Sequence, residues 1–127
     1  MGDLTQLIAA LVIAITANSA RTRDCFAVHG RLYVANGTPS IRIWPVKTDR
    51  ILGVTPDESP SALPDPLPRY VSFDNRIYAD FRVCSDEPER RGRMRMVSIA
   101  SVNKVVVEHV DPASGIVRVF RVKTRGE

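Results

Sequence analysis

Short segments in which apolar and polar residues alternate are the feature that most limits what this chain can fold into. The alternation is clearest over residues 76–84, where Ile77, Ala79, Phe81 and Val83 are separated by charged residues or tyrosine. Successive side chains of a β-strand point to opposite faces of its sheet, so this pattern predicts a half-buried strand. Residues 25–34 carry the same alternation and predict a second strand of this kind.

Other segments extend this pattern along the chain. Strands are predicted over 40–46, where Pro45 marks a strand end or an edge position, and over 50–54, 94–102, 104–110 and 116–123. Residues 70–73 lead into the strand at 76 through a tight turn. No helix of useful length is predicted after residue 20. About seven strands at this short spacing predict an all-β domain, a small β-sandwich such as an Ig-like one.

The last two predicted strands form a hairpin around residues 111–115. If Val110 pairs with Ile116, Glu108 faces Arg118, so that opposite charges meet across the strands. Cross-strand pairs of this kind stabilise a sheet. The sequence therefore predicts this register.

A proline-rich segment interrupts the strands between residues 55 and 69. It contains five of the nine prolines of the chain. Proline has no amide donor and a fixed φ, so this segment predicts a loop or polyproline-like stretch. Long loops in compact domains often bind ligands, and the alternative is a rigid surface connection between strands.

The first twenty residues are typical of export. Residues 7–17 read LIAALVIAITA, an apolar run too short to span a bilayer comfortably, and small residues follow it at 18–20. We interpret residues 1–20 as a signal peptide with a helical apolar core, and residues 21–127 as the mature domain, periplasmic or secreted and without a stable membrane span. The alternative is a retained helix, because Asp3 stands where a signal peptide usually has basic residues.

Two cysteines, Cys25 and Cys84, follow the predicted cleavage site. An even number in an exported chain indicates a disulfide. Both cysteines lie on the parity opposite the core residues of their strands. We therefore expect the first strand beside the strand at 76–84, or just across the rim of the sheet from it. No spacing of cysteine and histidine is typical of a metal site, and no metal or other cofactor is predicted.

The basic excess, a net charge of +4, is almost entirely arginine. Its strongest cluster is Arg90, Arg91, Arg93 and Arg95. Residues 85–92 predict a polar loop, and Arg93 and Arg95 are expected on one face of the strand that follows. Guanidinium groups suit anionic groups, so this cluster predicts a site for an acidic glycan or a lipid headgroup. The alternative is a solvated or salt-bridged strand, because acidic residues precede it. Few aromatic residues interleave with these arginines, and nucleic acid is not an expected partner.

The two histidines give no catalytic prediction. A catalytic histidine needs a partner group that converges on it in space, and the sequence selects no such partner for His29 or His109. The carboxylates lie mostly in loops, with no spacing that marks an acid–base pair. We therefore predict no catalytic residue.

Two resemblances add to this interpretation. Residues 25–54, 71–84 and 91–102 resemble uncharacterised secreted proteins of proteobacteria, a likeness that implies export and no known activity. Residues 28–46 resemble the opening hairpin of transthyretin-like and carboxypeptidase-regulatory-like domains, through Gly30, Leu32, Gly37 and Pro39. That likeness implies a small Greek-key sandwich used for binding.

Some transthyretin relatives are hydroxyisourate hydrolases, which use an early histidine, an arginine and a Tyr-Arg-Gly-Ser tail. His29 lies near the position of that histidine. The chain ends Thr-Arg-Gly-Glu at 124–127, so the tyrosine and serine of the tail are absent. Hydrolase activity is the hypothesis that this resemblance implies.

Together these features predict an exported binding or structural module that contacts a protein partner or a component of the cell envelope. The expected contact surfaces are the proline-rich segment and the arginine-bearing strand, and a free sheet edge that pairs with another chain is a further mode. Polyanion binding through residues 90–95 and a transthyretin-type hydrolase are the alternatives. The sequence selects no oligomeric state.

Overall fold

The computed structural model describes residues 23–55 and 60–124, and the predicted signal peptide lies outside them. The prediction of an all-β chain is confirmed. Six strands form one sheet in the order β3-β2-β1-β4-β5-β6. Their bounds are β1 Asp24–Val34, β2 Ile41–Pro45, β3 Leu52–Val54, β4 Asn75–Ser85, β5 Arg95–Val110 and β6 Val117–Val122.

The sheet closes on itself. Adjacent strands in the order are antiparallel, but β3 also pairs with β5 in parallel, with Leu52 opposite Arg95 and Val54 opposite Val97. Strands β1–β5 therefore form a small barrel, and the described residues do not form the two facing sheets of the expected sandwich. The barrel closes because β5 is 16 residues long, so that its first part pairs with β3 and its last part pairs with β6.

The close approach of β1 and β2 depends on one glycine. Gly30 lies opposite Pro45, and a Cβ atom there would stand 2.8 Å from the carbonyl oxygen of Trp44. A side chain at this position would collide with backbone, so only glycine allows β2 to lie so close to β1. This close approach fixes the position of the end of β2, where Trp44 lies.

The core consists of the inward-facing residues of the barrel. The alternation that predicted the strand at 76–84 is confirmed, because Ile77, Ala79, Phe81 and Val83 are all buried. Part of the proline-rich segment joins this core. Residues 60–69 contain two short 3₁₀ turns, and Leu63 and Leu67 are buried against the barrel. Residues 60–69 are therefore packed against the barrel by these leucines, rather than being a connection that only crosses its surface.

The predicted β5–β6 hairpin forms, but its predicted register is wrong by one residue. Val110 lies opposite Val117, and Glu108 lies opposite Val119. The loop between the strands sets this register, because the amide of Asp111 donates to the carbonyl of Ile116. The pairing of Glu108 with Arg118 that favoured the other register does not form.

The same loop supplies a prediction about pH. The side chain of Asp111 accepts hydrogen bonds from the hydroxyl and the amide of Ser114, and the hydroxyl bond is the main cause that lowers the pKa of Asp111. A lowered pKa contributes stability above the unfolded pKa, and this stability is lost as the pH falls through the folded pKa. We expect Ser114→Ala to raise the pKa of Asp111 towards its ordinary value in an NMR titration of its carboxyl group. Ser101→Ala is the control and should leave it unchanged.

Candidate functional site

Cys25 and Cys84 lie directly opposite each other on β1 and β4 and form a disulfide. The prediction that these cysteines are on neighbouring strands is confirmed. A disulfide indicates an oxidising, extracytoplasmic compartment. It also ties β4 to β1 just before β4 ends at Ser85, where the loop with most of the arginine cluster begins.

Residues 86–94 join β4 to β5, and we name them the arginine loop. They lie beside the turn between β2 and β3 and leave a cleft of about 520 Å³. Residues 86–92 belong to the predicted polar loop, but the prediction that Arg93 shares a strand with Arg95 is wrong, since β5 begins at Arg95. Gly92 has a φ of +76°, and the amide of Arg93 donates to the carbonyl of Arg90, so the chain turns here. Glycine favours this left-handed backbone, which ends the extended conformation.

The acidic residues of the arginine loop are engaged elsewhere. Asp86 lies 3.5 Å from Arg23, and Glu89 forms an ion pair with Arg50 on the wall of the cleft. The carboxylate of Glu87 accepts a hydrogen bond of 2.8 Å from a backbone amide of β5. These carboxylates were the reason to expect a salt-bridged cluster, and none of them pairs with Arg90, Arg91 or Arg93.

Arg95 differs from the other members of the cluster. Its guanidinium lies 2.9 Å from Asp24, donates to the carbonyl of Glu87 and stacks over the ring of Phe26. Only 12% of its side chain is exposed. Arg95 therefore holds the arginine loop against β1 rather than presenting a free charge.

Arg90, Arg91 and Arg93 also line the cleft. All three are exposed. In the part of the chain that the structure describes, no carboxylate lies within ion-pairing distance of any of them. Asp49 and Glu89 also line the cleft, and Glu89 is paired with Arg50. The three arginines on this short turn outnumber Asp49, so the cleft has a positive potential that attracts anions.

A second group of side chains lies on the outer face of the barrel, and we name Arg31, Tyr33, Trp44 and Tyr78 the aromatic patch. Arg31 on β1 lies opposite Trp44 on β2 and opposite Tyr78 on β4. Its guanidinium lies 4.8 Å from the centre of the Trp44 ring and 5.5 Å from that of Tyr33. This patch was not predicted from the sequence. The only signal was that Arg31 and Tyr33 share the polar parity of their strand.

The two histidines lie apart from the cleft and are not brought together. Nδ1 of His29 lies 2.6 Å from a carboxylate oxygen of Asp80, on the outer face of β1 and β4. Nδ1 of His109 lies 2.6 Å from the side-chain oxygen of Asn75, near the other end of β4. Within residues 23–55 and 60–124, no group of three or more His, Cys, Asp or Glu residues could hold a metal ion.

Strand β6 is an edge of the sheet, since within the described chain it pairs with β5 alone. Val117 and Val119 are exposed on it. Arg118 and Arg121 place positive charge along the same edge, a feature that discourages unspecific strand pairing.

Comparison with known proteins gives no family for this chain: no protein-family model, no curated protein and no solved structure matches it. The described residues contain no helix of the length and apolar character needed to cross a membrane. Function is therefore inferred from the arginine loop and the aromatic patch themselves.

Proposed function

We propose that this chain is an exported binding domain, periplasmic or secreted, that holds acidic glycans in the cleft of the arginine loop. The observation that carries the proposal is the group Arg90, Arg91 and Arg93, which line one cleft without a carboxylate partner among the described residues. The disulfide supports export, because bonds of this kind persist in oxidising compartments.

The chemistry of the cleft suits carboxylate or sulfate groups. A guanidinium presents planar, paired donors that match the two oxygens of a carboxylate, and such charge-assisted bonds are stronger than neutral ones. Three guanidinium groups on one short turn repel one another, and an anionic polymer relieves this repulsion at several positions at once. The headgroup of an anionic lipid carries similar charges, so the test must separate the two sources.

The arrangement of the strands supports the same location. Strands β1–β5 close in an order consistent with a Greek-key barrel. A five-stranded, partly open Greek-key barrel is the architecture of the OB-fold, in which the loop between strands 4 and 5 helps to bind oligosaccharides or oligonucleotides. The arginine loop joins β4 to β5. This is an analogy of architecture, and the chemistry of the site carries the argument.

The first test replaces Arg90, Arg91 and Arg93 together with glutamine and measures polygalacturonate binding by calorimetry. We expect binding at low salt to weaken about tenfold or more, because each exposed ion pair contributes up to about 1 kcal/mol. Binding by the unchanged protein should fall steeply as salt is raised to physiological strength. The variant should depend less on salt.

A matched control removes the same charge from other surfaces. Arg69, Arg118 and Lys123 are exposed and do not line the cleft. Their combined replacement by glutamine should leave polygalacturonate binding within about twofold of the original. An equal loss in both triple variants, or no binding of polygalacturonate at low salt, contradicts the proposal. Binding to vesicles of anionic phospholipid but not to polygalacturonate would assign the arginine loop to lipid instead.

A further inference from the structure

We infer that the aromatic patch is a second subsite for the same ligand, which receives the ring of one uronic acid residue. Trp44 contacts the apolar face of the sugar and Arg31 binds its carboxylate. This inference rests on the proposed function. It concerns the outer face of β1, β2 and β4, and the arginine loop contributes none of its side chains.

Trp44 is held ready for such a contact. It is 42% exposed although it is the largest apolar side chain of the chain. Its indole N–H donates to the carbonyl of Thr48, and Arg31 stacks on its ring. The only polar group of the indole is thus already bonded. The part of the ring that Arg31 leaves uncovered offers a ligand apolar surface. A side chain fixed before binding loses little conformational entropy when the ligand arrives.

Arg31 supplies positive charge to the aromatic patch. Within the described residues no carboxylate lies within ion-pairing distance of it, and its Nε atom is shielded from solvent without a hydrogen-bond partner. Because Nε is shielded, a ligand carboxylate would bind the terminal nitrogen atoms of the guanidinium, which present planar, paired donors. Lys47 lines the same shallow cavity, so a second cation faces the ligand.

This combination selects a class of ligand. A pyranose ring has apolar C–H faces and a polar rim, so it packs flat against an aromatic ring while its rim reaches neighbouring polar groups. Two cations beside that ring favour a sugar that carries a carboxylate. A nucleobase also stacks on aromatic rings. The oxidising compartment indicated by the disulfide favours the sugar.

The two sites border the same turn, which a short chain of sugars would follow to reach both. Lys47 lines the cavity of the aromatic patch, and Arg50 lines the cleft of the arginine loop. These residues are three positions apart in one turn, so their Cα atoms are separated by at most about 11 Å. The turn between β2 and β3 therefore stands between the two subsites.

Trp44 is the only tryptophan of the chain, so its fluorescence reports on this subsite directly. We expect trigalacturonate to change the emission of Trp44 in a saturable manner. Trp44→Ala should weaken trigalacturonate binding about tenfold, the order of loss expected for an aromatic anchor. This loss should remain at physiological salt, because it does not arise from charge. Phe73, which is 70% exposed and lies outside the patch, gives the control Phe73→Ala, with binding unchanged.

The outcomes separate this inference from the proposed function. If trigalacturonate binds by calorimetry but the emission of Trp44 does not change, the subsite is wrong and the arginine loop stands. If the emission changes equally in the original protein and in the triple arginine variant, with equal affinity, the subsite stands and the role of the arginine loop is wrong. If oligo-dT changes the emission and trigalacturonate does not, the uronic acid subsite is overturned. The fluorescence of the unchanged protein keeps the test valid even if Trp44→Ala does not fold.

Discussion

Replacing Cys25 and Cys84 together with serine should lower the free energy of unfolding by about 4 kcal/mol. The disulfide joins residues 59 positions apart and so lowers the conformational entropy of the unfolded chain. Without the disulfide, the unfolded chain regains this entropy and becomes more stable relative to the folded protein. For a domain of this size, the loss corresponds to a fall in Tm of about 15–30 °C. Urea unfolding of both proteins, without reductant, measures the difference.

The original protein, fully reduced before unfolding, is the control for this experiment. It should unfold at the same urea concentration as the serine variant, because both then lack the cross-link. A variant that loses less than about 1 kcal/mol would show that β1 and β4 need no covalent tie, since a difference that small is ordinary for a point substitution. The pairing of these strands over Asp24–Leu32 would then be sufficient.

The disulfide also illustrates what local sequence can predict. Strands β4 and β1 can be predicted from alternation, because the two-residue period of a strand appears in consecutive residues. The parity of Cys25 and Cys84 then predicts adjacent strands or strands that meet across the rim, and the structure places the cysteines opposite each other on adjacent strands. Both inferences need only short-range information.

The closure of the barrel could not be predicted in the same way. Strand β3 has three residues, and its parallel partners in β5 lie about forty positions further along the chain. The alternation also predicted two strands where β5 forms one, because the apolar pattern breaks near Asn103. The structure has a bulge there, with Lys104 at a φ of +53° and a shift of register against β4. A bulge interrupts the alternation without ending the strand.

The candidate site was predicted in part for a related reason. Charge can be read from sequence, so the cluster at 90–95 was predicted. Whether Arg90 forms an ion pair with its neighbour Glu89 depends on where Glu89 points, and Glu89 points to Arg50. The aromatic patch depends on the register that sets Arg31 opposite Trp44. Registers between strands follow from turns and close contacts such as that at Gly30, which the alternation does not encode.

Replacing Leu67 with alanine should lower the free energy of unfolding by about 2–5 kcal/mol. Leu67 lies in the proline-rich segment but is 0% exposed, and it packs with the inward residues of the barrel. Removing its side chain leaves a cavity that the surrounding strands fill only partly. Ile116, at 65% exposure, provides the control Ile116→Ala, which should change stability by no more than about 0.5 kcal/mol.

The same variant decides between two interpretations of the proline-rich segment. If residues 60–69 cover the barrel, Leu67→Ala reduces stability, while polygalacturonate affinity measured well below the Tm stays within about twofold. If the segment instead contacts the ligand, affinity falls and stability changes little. The burial of Leu63 and Leu67 favours the first result, because a segment anchored by two core side chains has little freedom to close over a ligand. The arginine loop has no side chain buried in this way, and it is therefore the segment expected to adapt to what binds.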